Sequence, residues 1–218
     1  MGYRLCRFVG GLTWIAILWG ARAASADSFD TSLSPGSPTG GGAQVAADQY
    51  LAVRFQLVAP TSISSIGFRA VRTVPSDTGN LFGALIALDS GADFPDSANP
   101  LSTPDVLAHT EIAPPPSGQT QDISAPIGPI ILPAGNYALM FGAGSYGTTG
   151  NVSATQNNPQ SGSYSYFFWN SSNGFYTDGG FGNVRFFYNT PNNAPEPTTI
   201  ALLSLAAPLV LLRRRRHR

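Results

Sequence analysis

The chain has 218 residues and a formal net charge of zero, with 24 glycines, 18 prolines and a single cysteine. The zero hides a segregation: every basic residue is an arginine, and residues 27–194 hold only Arg54, Arg69, Arg72 and Arg185 against ten Asp and Glu111, a net charge of −7. An acidic, lysine-free body excludes ordinary nucleic-acid binding, which needs clustered positive charge, and the lone Cys6 excludes a disulfide framework or a thiolate metal site.

Residues 1–26 read as a secretory signal peptide. Arg4 and Arg7 give the positive start, Phe8 to Trp19 the apolar run, and Ala24-Ser25-Ala26 an A-x-A site at which signal peptidase would cut between Ala26 and Asp27. The apolar run is shorter than the ~20 residues that span a bilayer. Removal of this segment takes Cys6 with it. Residues 27–43, rich in Ser, Pro and Gly, read as a flexible entry segment in which Phe29 is the first apolar residue able to pack.

Residues 44–190 then show a period of two, the mark of half-buried strands. Leu51, Val53, Phe55 and Leu57 alternate with Ala52, Arg54 and Gln56, and Pro60 ends the run. Ile66, Phe68 and Ala70 form a second apolar face, and Phe82, Ala84, Ile86 and Leu88 a third. Asp89-Ser90-Gly91 supplies a turn, 92–105 a long loop, and Val106–Ile112 another strand stopped by Pro114-Pro115-Pro116. Gln121–Ile123 and Ile130–Leu132 read as two short strands, and Pro133-Ala134-Gly135-Asn136 as a turn feeding Tyr137, Leu139 and Phe141. Residues 142–163 read as loop, and the aromatic block 164–188 closes with the alternating strand Val184–Tyr188. No stretch between 27 and 194 has helical spacing with caps. The expected fold is all-β, a single antiparallel β-sandwich of jelly-roll-like form, with a hydrophobic helix at the C-terminus.

Several constellations invite a chemical reading. Gly142-Ala143-Gly144-Ser145-Tyr146-Gly147 matches G-x-G-x-x-G, but no helix start follows and no acid occurs between Asp122 and Asp178, so it reads as a glycine loop. His109 and Glu111 share one face of a strand, yet no G-x-S-x-G supplies a nucleophile, and no catalytic residues are assigned. The expectation is a non-enzyme, a secreted hydrolase being the weaker alternative. Asp89, Asp93 and Asp96, with Asp105, could hold Ca²⁺ through carboxylates and carbonyls, although their spacing fits no EF-hand; the bland reading is turn formation. No other cofactor is expected. Tyr166, Trp169 and Tyr176 could present a platform for sugar rings, the basis of an alternative reading as a carbohydrate (exopolysaccharide)-binding module; core packing is the competing use of the same rings. Asn151-Val152-Ser153 and Asn170-Ser171-Ser172 fit the N-glycosylation triplet, a pattern that polar loops also produce by chance.

The last residues form an address. After the linker 191–197, which ends in Pro195-Glu196-Pro197, segment 198–218 carries an apolar run from Ile200 to Leu212 and the basic end Arg213-Arg214-Arg215-Arg216-His217-Arg218. This arrangement resembles the PEP-CTERM sorting signal of bacterial exported proteins. The resemblance implies a tail held transiently in the inner membrane until an exosortase-type membrane transpeptidase processes it near Pro195, Glu196 and Pro197, which are substrate residues. Arg213 to Arg216 would act as the membrane stop, on the cytoplasmic side by the positive-inside tendency. The run is about 20 Å of helix against ~30 Å of hydrocarbon, short for a permanent anchor. The body resembles, more loosely, the short β-sandwich domains that precede such signals, through Tyr50–Phe55, Leu132–Leu139 and the aromatic last strand. What the resemblance implies is an exported surface or extracellular-matrix protein associated with exopolysaccharide.

Overall fold

The computed structural model describes residues 28–33, 42–96, 104–179 and 183–191. The expected signal peptide with Ala24 and Ala26, the Pro195-Glu196-Pro197 motif, the expected C-terminal hydrophobic helix and Arg213–Arg216 lie outside the described residues. Within them the chain is all-β. Its strands are β1 (Phe29–Asp30), β2 (Ala43–Val45), β3 (Gln49–Leu57), β4 (Thr61–Val71), β5 (Leu81–Leu88), β6 (Val106–Ile112), β7 (Thr120–Leu132), β8 (Gly135–Gly142), β9 (Val152–Ala154), β10 (Tyr166–Asn170), β11 (Tyr176–Asp178) and β12 (Phe186–Asn189).

The strands form two antiparallel sheets, an arrangement consistent with a β-sandwich. One has the order β11-β10-β3-β8-β5-β6. In the other, β7 pairs with β4 along its length, from Thr61↔Leu132 to Val71↔Thr120. β12 and β9 therefore share the opposite edge of β4, at Ser65–Phe68 and at Ala70–Val71. β1 and β2 extend them outward.

The apolar faces expected from the period of two meet between the sheets. Leu51, Val53, Leu139 and Phe141 from one sheet pack against Ile63, Ile66, Phe68, Ile123 and Phe186 from the other. Phe141 is the hinge of this contact. Its ring lies 4.6 Å from Phe68 and stacks on Phe186 at 5.5 Å and 13°.

β5 shows a departure from expectation. Leu81 and Leu85 face the inter-sheet core, whereas Phe82, Ala84, Ile86 and Leu88 point to the opposite side. There they join Tyr50, Ala52, Ala138, Met140, Phe167 and Tyr176 in a second apolar layer, partly covered by Phe94, Tyr146 and Trp169. Strands β3, β5 and β8 are thus buried on both faces. A period of two cannot choose between two apolar faces, so the sequence signal identified the strand and inverted its orientation.

Two further corrections concern strand boundaries. The entry segment read as loop supplies β1, where Phe29 pairs with Tyr188 and stacks on it at 5.5 Å. The segments 121–123 and 130–132 are one strand of 13 residues, β7. It passes through Pro126 and Pro129 because Ile127, Gly128 and Pro129 bulge out opposite the single residue Ser64. Gly128 takes φ +79°, a conformation that side-chain-bearing residues seldom adopt. Among the described residues β7 pairs only with β4, and an edge strand tolerates the missing proline donors.

A cleft beside the free end of strand three

β3 outruns its neighbour β10. Pairing between them begins at Tyr166↔Val53, preceded by one bond from Arg54 N–H to the Ser165 carbonyl at 2.9 Å. The chain before β10 leads instead toward β1. Tyr164 Oη donates to the Asp30 carbonyl at 3.3 Å and lies 2.6 Å from Ser161 Oγ. The divergence opens a cleft of about 400 Å³ lined by Phe29, Arg54, Phe55, Gln56, Gly91, Asn136, Ser163, Tyr164 and Ser165. That is within the usual range for small-ligand sites, about 300–1,000 Å³.

The apolar wall is fixed. Phe29 packs on Phe55 at 5.0 Å and meets Tyr164 edge-on at 5.6 Å and 89°. The polar side is open: the side chains of Gln56, Asn136 and Ser163 make no hydrogen bond with any described residue. Alternation along β3 adds a backbone donor. The geometry that turns Arg54 N–H toward Ser165 turns Gln56 N–H to the same side, where no strand continues.

Arg54 anchors the cleft from behind. It is 5% exposed, and its guanidinium lies over Phe94 at 4.6 Å and Phe167 at 4.5 Å. Nε donates to the Asp93 carbonyl at 2.7 Å, and Nη1 donates to Ser165 Oγ at 2.8 Å and to Asp178 Oδ1 at 2.7 Å. Nη2 is buried without a hydrogen-bond partner among the described residues. The other described ion pairs also keep arginine inside the fold: Arg69 bonds Asp122 at 3.2 Å, and Arg185 joins Asp30 at 2.6 Å and also Asp122.

The acidic loop borders this region through Gly91. Its carboxylates serve the loop itself: Asp93 Oδ2 accepts from Asp89 N–H at 3.1 Å, and Asp105 Oδ2 from Asp96 N–H at 3.0 Å. Among the described residues no three acids, histidines or cysteines are gathered as a metal site would require. Asp89, Asp93 and Asp96 are neighbours in this loop, together with Asp105. Their proximity holds the Asp96 carboxyl above the ordinary aspartate pKa, through repulsion from Asp105 first, with smaller contributions from burial and from Asp89 and Asp93. For an acid raised in the folded state, the native protein takes up a proton before the unfolded chain does, so stability rises as pH falls through that window. Asp96→Asn is expected to be more stable than the parent near neutrality and to lack this gain on acidification. Urea midpoints measured against pH for the two proteins check it; parallel curves would contradict it.

The rings weighed between a platform and core packing are engaged in packing. Along β10 the side chains alternate, so Tyr166 enters the inter-sheet core while Phe167 and Trp169 lie on the second apolar layer. Tyr166 is 7% exposed, accepts from Gln160 Nε2 at 3.0 Å and donates to the Val184 carbonyl at 3.1 Å. Trp169 is half-buried and stacked on Tyr50 at 4.6 Å and 20°. Tyr176 is buried against Phe94 and Phe167, which drives its phenol pKa upward, mainly by desolvation. Packing has taken these rings.

His109 and Glu111 are exposed on the edge strand β6. His109 stacks on Tyr146 at 3.7 Å and 5°, and Glu111 accepts from Asn80 Nδ2 at 3.0 Å. The glycine loop after β8 closes as a turn, with Gly144 N–H donating to the Thr148 carbonyl at 2.8 Å and Gly144, Tyr146 and Gly147 at positive φ. Of the two glycosylation triplets, Asn170 holds the β10–β11 turn by accepting from Ser172 N–H at 2.7 Å, and Asn151 precedes β9.

The cleft residues come from β1, β3, β8, the loop after β5 and the segment before β10. Nothing local in the sequence announces such a meeting. Only the aromatic density around Tyr164 and the open polar positions on alternating strands hint at it. The described residues thus form an antiparallel, sandwich-like β body with one mixed aromatic and polar cleft. No protein-family model, curated protein or solved structure matches the chain.

Proposed function

We propose that this is an exported, non-enzymatic protein of the cell surface or extracellular matrix, delivered by its C-terminal sorting signal and cleaved there by an exosortase-type transpeptidase. The observation that carries the reading is the order Pro195-Glu196-Pro197, apolar run, arginine cluster, combined with a signal-peptide pattern at residues 1–26. Its partners are signal peptidase, the transpeptidase and, transiently, the inner membrane.

The body supports this reading in two ways. Its last described strand ends at Asn189, so a short stretch of sequence separates the folded unit from the motif. Its acidic surface, with Arg54, Arg69 and Arg185 each paired to a carboxylate of the body itself, suits solubility outside the cell better than polyanion binding. The insertion of β8 between β3 and β5 favours a jelly-roll-like connectivity for the sandwich. A non-enzymatic role is in keeping with the separation of His109 and Glu111 from the cleft and their engagement with Tyr146 and Asn80.

Mass spectrometry of the protein recovered from outside the cell tests the sorting step. The mature C-terminus is expected to fall near Pro197, without Arg218. In a Glu196→Ala variant the tail is expected to persist and the protein to stay with the membrane fraction. An intact Arg218 on released protein would overturn the proposal.

A further inference from the structure

We infer that the cleft beside the free end of β3 is a binding site for a neutral glycan segment, with Tyr164 as its aromatic wall and Gln56 and Asn136 as its hydrogen-bonding groups. The inference goes beyond the sorting reading and does not depend on it, since every residue it uses belongs to the folded body.

The chemistry of the lining selects the ligand class. A sugar ring presents C–H faces and a rim of hydroxyls, each both donor and acceptor. The cleft answers with a half-buried tyrosine held in place by Phe29 and the Asp30 carbonyl. Beside it stand two carboxamides and Ser163, none of them bonded to a described residue, and each carboxamide can donate and accept at once. Such groups on a rigid wall, in a space of about 400 Å³, suit a short stretch of polysaccharide.

Charge argues for a neutral ligand. Arg54 is the only cationic lining residue, and its guanidinium is already matched by Asp178 and buried beneath two aromatic rings. Gly91 of the lining belongs to a loop that carries Asp89 and Asp93 two residues to either side, so negative charge borders the cleft. A uronate, sulfate or phosphate would meet repulsion there with no free cation in the lining to offset it. The cleft runs along the edge of β3 that β10 leaves uncovered beyond Arg54, a shape that suits an extended chain.

The test is affinity electrophoresis of the full chain through gels containing a neutral polysaccharide panel (β-glucan, galactomannan, xylan) or the acidic polymers alginate and polygalacturonate, followed by titration calorimetry with the matching oligosaccharide. Retardation is expected in at least one neutral gel and in neither acidic one. Gln56→Ala and Asn136→Ala should each weaken binding about 3–10-fold, the loss of one ligand hydrogen bond. Tyr164→Ala should abolish it. Because Tyr164 also packs on Phe29, Tyr164→Phe serves as the control, keeping the ring and expected to retain binding, and thermal unfolding of every variant verifies that it is folded. Absence of binding to all neutral polymers, binding confined to the acidic ones, or neutral binding unchanged in folded Gln56→Ala and Asn136→Ala proteins would each overturn the inference.

Discussion

Replacing Phe141 with alanine is expected to destabilise the body by about 3–5 kcal/mol, the cost typical of deleting a fully enclosed aromatic ring. Phe141 is 0% exposed and touches both layers: its strand pairs with β3 and β5, while its ring contacts Phe68 and Phe186 on the opposing sheet. The void would lie where neither sheet can collapse toward the other without moving its neighbours. For a domain of this size the change corresponds to a fall in melting temperature of roughly 6–20 °C, readable by circular dichroism. Phe141→Leu retains most of the volume and should cost much less. If Phe141→Ala unfolded within a degree or two of the parent, the inter-sheet packing described above would be wrong.

Arg54→Met should have the second largest effect, a loss of about 2–4 kcal/mol, because charge-assisted hydrogen bonds contribute about 1.5–3 kcal/mol each and the new apolar side chain recovers only part of the packing. The substitution removes at once the tie to the Asp93 carbonyl, the bond to Ser165, the pair with Asp178 and the contacts with Phe94 and Phe167. Asp178→Asn offers the informative contrast. The Asp178 side chain is 68% exposed, so water replaces much of what it gives, and a cost below about 1 kcal/mol is expected. A double-mutant cycle separates the two contributions. Equal effects from the two single variants would mean that the ion pair, and not the enclosed guanidinium as a tie between segments, holds this corner. Limited proteolysis near Asp93 should accelerate in Arg54→Met alone.

How far the fold was legible follows from the same physics. Strands β3, β4, β6 and β8 were recognisable because alternation and turn residues agreed. β7 was read as two pieces because Pro126 and Pro129 are ordinarily strand breakers; only the bulge opposite Ser64 reconciles them with a continuous edge strand. β2 and β9, three residues each, carry too few positions for any period to register. The choice of face in β5 needed knowledge of a second apolar layer, which depends on Phe94, Tyr146 and Trp169 arriving from elsewhere. The aromatic block left two uses open for a related reason. Density alone suits a platform and core packing equally; a strand sends neighbours to opposite faces, and packing takes both sides of β10, with Tyr176 of β11 buried as well. The cleft, by contrast, draws on five separated segments, and the aromatic density around Tyr164 is too general a signal to bring them together in a linear reading.

The bulged edge of β7 has a consequence for life in a crowd. At high local concentration a straight, fully donating edge would invite strand-by-strand stacking into fibrils. Pro126 and Pro129 bring no amide donors to this strand, and the kink at Gly128 spoils its straightness just upstream of the exposed Ile131, 74% accessible. The irregularity that hid the strand from a sequence reading is thus a built-in deterrent to self-templated polymerisation.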